Sequence, residues 1–68
     1  MNITVNGQSR VIDVGDAPTV ARVIDALGLR GKRVAVECNG AIVSRSRYDD
    51  TVVKEDDRLE VVGAVGGG

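Results

Sequence analysis

Histidine, phenylalanine and tryptophan are absent from the 68 residues, and cysteine, proline and tyrosine occur once each. Without histidine there is no imidazole to serve as a general base near neutral pH and no His ligand for a metal. The single Cys38 cannot close an internal disulfide, and with no His partner it cannot form the pair of a thiol hydrolase. The chain is therefore not expected to be an enzyme by itself, nor to hold a metal. One cysteine agrees with a reducing compartment. No apolar run approaches a membrane span, and the amino terminus lacks the basic segment and hydrophobic region of a secretory signal, so a cytoplasmic protein with no membrane partner is expected. Charge of one sign is not in surplus either. Nine basic and ten acidic residues give a net charge of −1, whereas a nucleic-acid footprint needs a basic surplus on one face. Lys32, Arg33, Arg45 and Arg47 read as a solvated rim, and Glu55-Asp56-Asp57, lacking ligand spacing, as a polar turn.

What is present is an aliphatic core of Val, Ile, Leu and Ala, whose β-branched members favour strands. A single domain of this length buries roughly 60% of its unfolded surface. Met1, Ile3 and Val5 alternate with polar residues as a half-buried strand does, and Asn6-Gly7 marks a tight turn. A second strand is expected from about Ser9 to Val14, with Ile12 and Val14 on one face and Arg10 and Asp13 on the other. After the break at Gly15-Asp16-Ala17-Pro18, Thr19 is placed to cap a helix carrying Val20, Val23, Ile24 and Leu27, and Gly28 to end it. Val34, Val36 and Cys38 form the inward side of a third strand, Asn39-Gly40 a second turn, and Ala41-Ile42-Val43 a short strand. Ser44 to Lys54 is irregular, with Tyr48 plugging it onto the core, hydroxyl at the surface, and Val52-Val53 returning inward. Leu59 to Val62 is the last strand. Cys38, on an apolar strand face, reads as a small hydrophobe rather than a sulfur relay.

The sequence closes on Gly66-Gly67-Gly68. Terminal glycines are most often a disordered end, but these contain no serine and follow a strand. Residues without Cβ can be approached from every side, and six residues from Gly63 reach at most roughly 20 Å. A carboxylate on such a thread can enter a narrow active site as a substrate. It is a poor electrophile, so acyl chemistry requires a mixed anhydride with phosphate, normally made with ATP. A partner must supply nucleotide, magnesium and nucleophile.

One sheet of four or five strands covering one helix is the two-layer solution for this element order. It is the β-grasp, or ubiquitin-like, α+β arrangement: a mixed sheet packed on one main helix. Residues 1–63 form the domain and 64–68 a flexible C-terminal glycine tail. First and last strands side by side at the sheet centre would project that tail away from the globule.

Over essentially its whole length the chain resembles the ThiS sulfur carriers of thiamine biosynthesis, in the ubiquitin-like ThiS/MoaD family. The resemblance rests on Asn6-Gly7, Thr19-Val20, Val34-Ala35-Val36 with Asn39-Gly40, and Ile42-Val43 followed by Arg45 and Tyr48. It continues through Asp57-Arg58-Leu59-Glu60-Val61-Val62 to Val65-Gly66-Gly67-Gly68. Two positions depart from the family pattern: Ser44 stands where proline often precedes the arginine, and Asp56 where glycine usually precedes the aspartate.

The resemblance implies that the chain is a protein co-substrate with no bound cofactor. A ThiF-like adenylyltransferase, using ATP and Mg, would convert the Gly68 carboxylate to an acyl-adenylate. A cysteine desulfurase or other persulfide donor would supply sulfur, and the resulting thiocarboxylate would serve a ThiG-like thiazole synthase. Val65, Gly66, Gly67 and Gly68 would enter the partner active site. Family docking uses the exposed sheet face and the tail, which makes Val62 and Ala64 possible partner surface, with Arg45 meeting either an acidic partner or Asp49. The small subunit of molybdopterin synthase is an alternative, against which the short, aromatic-poor chain argues. A ubiquitin-like modifier joined through Gly68 and a plain interaction domain are others.

Overall fold

A computed structural model of the chain describes residues 1–63. Its elements are β1 (Asn2–Val5), β2 (Gln8–Val11), α1 (Val20–Ala26), β3 (Val34–Cys38), β4 (Ala41–Val43), a 3-10 turn (Arg45–Arg47) and β5 (Arg58–Gly63). The five strands form one sheet in the order β2-β1-β5-β3-β4. β1 and β5 run parallel at its centre, with Thr4 beside Arg58 and Val5 beside Leu59, and the other neighbours are antiparallel. With the helix on one face, this is the β-grasp arrangement.

Both hairpins turn where Asn-Gly dictates. Val5 pairs with Gln8 and Cys38 with Ala41, leaving two-residue loops. Asn6 and Gly7 have φ of 52° and 81°, and Asn39 and Gly40 of 52° and 86°. Two consecutive positive φ values match the right-handed strand twist, and Asn followed by Gly adopts them most readily.

The helix is framed by its caps. Thr19 Oγ1 accepts the Arg22 N–H at 3.3 Å. At the other end Gly28, at φ 76°, donates to Asp25 O while Leu29 donates to Ile24 O, both at 3.0 Å. That double closure uses carbonyls the helix would otherwise leave unpaired. Val20, Val23 and Ile24 are buried, Leu27 partly so, and Arg22 and Asp25 face solvent. They pack on Ile3, Val5, Val36, Leu59 and Val61 from the sheet. No polar or charged residue is buried among the described residues.

The second strand is shorter than its alternation suggested. β2 stops at Val11, yet Ile12 and Val14 still reach the core and Asp13 stays out. Backbone contact persists through Ile12 N–H to Met1 O, so alternation outlasts the ladder. Arg10 is not opposite Ile12: it sits in register with buried Ile3, on the helix side but exposed on the edge strand.

Residues 44–54 are less irregular than expected because they complete the helix N-terminus. Val20 N–H donates to Thr51 O and Ala21 N–H to Tyr48 O, while Val53 N–H donates to Pro18 O. Val53 is buried, whereas Val52 turns outward. Tyr48 is half-buried against the core, and the hydroxyl expected at the surface donates to Val34 O at 3.1 Å in a partly buried bond.

Candidate functional site

β5 lies between β1 and β3 and leads to the residues of functional interest. Leu59 and Val61 point into the core, so Arg58, Glu60 and Val62 lie on the helix-free face. The strand ends at Gly63, in register with Val34. Ala64, Val65, Gly66, Gly67 and Gly68, all named from sequence, lie outside the described residues.

The two Asn-Gly turns grip this strand from both sides. Asn6 Nδ2 donates to Val61 O at 2.8 Å and Asn6 Oδ1 accepts the Val61 N–H at 2.7 Å. Asn39 Oδ1 accepts the Arg58 N–H at 2.9 Å, and its own backbone N–H donates to Arg58 O at 2.7 Å. Sequence pattern marked both asparagines as turn residues and missed the clamp. The available signal was asparagine, rather than glycine or aspartate, at the first position of both turns: a primary amide both donates and accepts.

Asp57, just before β5, is a second organising residue, which the sequence marked as part of an acidic turn and of the family resemblance but without its bonding role. Its carboxylate accepts the Lys54 N–H at 2.8 Å and Asn39 Nδ2 at 3.1 Å, with the Cys38 thiol at 3.8 Å. Burial pushes this carboxyl up, but the bonds from Lys54, Asn39 and Cys38 and the Lys54 charge outweigh it and hold it below the usual aspartate value. Burial, the Asp57 charge and the bond to Asp57 all push the Cys38 thiol up. A thiol held protonated is a poor nucleophile.

The exposed face around Val62 is mixed. Val62 and Ile42 are 56% and 82% exposed. Ala35 is paired with Val62, and the next outward pair is Glu37 with Glu60. Arg45 is placed elsewhere. It lines a groove of about 470 Å³ with Arg22, Asp25, Arg30, Tyr48 and Asp49, on the helix side, so it does not share a surface with Val62. Among the described residues no group of three or more Cys, Asp or Glu is placed to hold a metal. No helix there is long and apolar enough to cross a membrane.

Comparison with known proteins agrees with this geometry. A model of the ThiS family matches residues 3–68. The crystal structure of a thiamine biosynthesis protein, ThiS, from Geobacter metallireducens superposes with a TM-score of 0.82 at 36% identity, covering all of both chains. A solution structure of a thiamine biosynthesis protein from the same organism gives 0.78 at 36% identity, covering all of this chain and 88% of that one. Among curated proteins, a thiazole synthase of Magnetococcus marinus is 41% identical and one of Paramagnetospirillum magneticum 37% identical, each over all 68 residues of this chain. The chain spans 20% of the length of each of these two relatives.

Proposed function

The chain belongs to the ThiS family, and from that premise we propose that it carries sulfur for thiazole formation in thiamine biosynthesis. The observation that carries the proposal is the family match continuing through Gly68, behind a body whose central strand is held from both sides and leads toward that glycine. The thiazole synthases that match this chain support the same pathway.

The proposed site of chemistry is the Gly68 carboxylate. One carboxylate oxygen attacks the α-phosphorus of ATP on a ThiF-like adenylyltransferase, and pyrophosphate leaves. The terminal sulfur of a persulfide, supplied by a cysteine desulfurase or another donor, then attacks the acyl carbon and expels AMP. A second thiol attacks the resulting acyl disulfide, taking the donor sulfur into a new disulfide and releasing the thiocarboxylate. Thiazole synthase accepts that sulfur. This chain binds no cofactor in the cycle; ATP and Mg belong to the activating enzyme. The chain's own contribution is binding and presentation.

Intact-mass spectrometry tests this directly. The chain is incubated with the adenylyltransferase of thiamine biosynthesis from the same genome, ATP, Mg and a persulfide donor. Replacement of one Gly68 oxygen by sulfur is the expected result, and its absence from a chain truncated before Gly68 is the control. An unchanged mass in the complete mixture would overturn the proposal. Rescue of a thiamine auxotroph, and not of a strain deficient in molybdenum cofactor, would separate this pathway from molybdopterin synthesis. Isopeptide-linked conjugates would instead indicate a protein modifier.

A further inference from the structure

We infer that the groove between α1, the loop into β3 and the 3-10 turn binds a small phosphate monoester with hydroxyl groups, of the sugar phosphate or nucleoside monophosphate kind. The inference stands apart from sulfur carriage, since no step of it involves the tail. Arg22 borders the groove from the helix, Arg30 and Lys32 from the loop, and Arg45 from the 3-10 turn. Asp25 and Asp49 are the acids there. Four cations against two carboxylates leave a surplus of two positive charges, in a chain whose net charge is −1. A dianion balances such a surplus, and a phosphate monoester carries about −1.5 to −2 near neutrality.

The fold itself makes no use of these charges. All six residues are exposed, and no hydrogen bond joins the side chain of any of them to another described residue. Asp57, by contrast, is engaged by three donors. Between the charges the groove is walled by Ile24, Leu29, Val34 and Tyr48, whose hydroxyl is already committed to Val34 O. Tyr48 therefore offers a ligand its ring. At about 470 Å³, the groove falls within the range of roughly 300–1,000 Å³ that takes a small organic molecule. Three guanidiniums supply forked donors that match phosphate oxygens in pairs. Asp25 and Asp49, as carboxylates, only accept hydrogen bonds, which calls for hydroxyl groups on the same ligand. A polyphosphate would exceed the surplus and set like charge against both aspartates. A nucleic acid needs a basic stripe longer than one groove. An acidic peptide spreads its carboxylates along the chain, whereas a phosphate concentrates its charge where the cations converge.

Amide proton–nitrogen NMR spectra of the labelled chain, titrated at constant ionic strength with ribose 5-phosphate, AMP, adenosine and a hexaglutamate peptide, test this. Both esters are expected to shift the amides of Arg30, Gly31 and Lys32 saturably, and adenosine, lacking the phosphate, to leave them in place. Tighter binding of AMP than of ribose 5-phosphate would identify a nucleotide as the ligand, and equal binding a sugar phosphate. R30A/K32A changes only exposed loop residues, so the remaining spectrum should be retained while binding weakens about tenfold. R10Q/R58Q removes as much charge outside the groove and is expected to bind as wild type does. Equal weakening in the two double variants would mean general attraction to a charged surface and overturn the site. Shifts by the esters no larger than those from sodium chloride of equal ionic strength would overturn it as well. Saturation by hexaglutamate and not by the esters would replace it with an acidic protein segment. None of these outcomes bears on sulfur loading at Gly68, which the mass measurement decides separately.

Discussion

Asn6 holds Val61 by both of its backbone groups, donating to the carbonyl at 2.8 Å and accepting from the N–H at 2.7 Å. A side-chain amide thus extends the parallel ladder between β1 and β5 beyond Val5 and Leu59, the last backbone pair. The turn residue therefore has two duties: φ of 52° to reverse the chain, and a fixed amide to hold the strand that leads to the tail.

Asn6→Gly separates those duties, because glycine accepts the positive φ and removes only the amide. The loss of two hydrogen bonds is expected to destabilise the domain by about 1–3 kcal/mol. Amide exchange at Val61 should quicken more than at Val36, on the far side of β5. Equal acceleration at both sites would mean that the clamp acts globally and not on the end of β5.

Two departures from the family pattern are explained by backbone angles. Asp56 has φ of 68°, a left-handed conformation that glycine adopts without a Cβ penalty. Ser44 has φ of −71°, the value a proline ring imposes, and follows the strand residue Val43. Asp56→Gly and Ser44→Pro are each expected to raise stability by about 0.5–1 kcal/mol, the first by relieving strain and the second by restricting the unfolded chain. Urea denaturation of the single and double variants checks this, and the separate turns should make the effects additive.

The parts of the fold visible in sequence are those set by local chemistry. Alternation at Ile3 and Val5, the stripe Val20-Val23-Ile24, the Thr19 cap and both Asn-Gly turns each reflect a period or a φ requirement within a few residues. What escaped detection is long-range. The bonds from Asn6 to Val61 and from Asn39 to Arg58 and Asp57 join residues far apart in sequence, and no period announces them. The length of β2 also escaped, because burial of Ile12 and Val14 continues the alternating pattern after the ladder has ended. At the site, Val62 was named as possible partner surface only through the family resemblance, and its exposure is settled by the parity of β5, with Leu59 and Val61 inward. The pairing of Glu37 with Glu60 became visible only once the register of β3 and β5 was known.

Tyr48 ties the 3-10 turn to the start of β3 through its bond to Val34 O. Tyr48→Phe keeps the ring and removes one hydrogen bond, so a loss of about 1 kcal/mol is expected. Tyr48→Ala should lose about 3 kcal/mol or more, since the ring packs against the core. In a domain this small, whose core rarely supplies more than about 3–5 kcal/mol, the alanine variant should be substantially unfolded by circular dichroism.

Asp57 and Cys38 make stability and thiol reactivity respond to one substitution. The folded carboxyl lies below its ordinary value, so its contribution is fully present above the unfolded aspartate pKa of about 3.9 and is lost as pH falls through the depressed folded value. Asp57→Asn should therefore be less stable than wild type near neutrality, with the difference narrowing in acid when urea midpoints are compared across that range. The thiol has the opposite sign. Its folded value is raised, so this source of stability is present below the unfolded thiol pKa and lost as pH rises through the raised one. Removing the Asp57 charge takes away one cause of that rise, and folded Asp57→Asn should react faster with iodoacetamide at Cys38 than wild type at mildly alkaline pH. Cys38→Ala should still acquire sulfur at Gly68, because a thiol held protonated beside a carboxylate is poorly suited to relay a persulfide. Loss of sulfur loading in a folded Cys38→Ala chain would instead place this thiol on the transfer path.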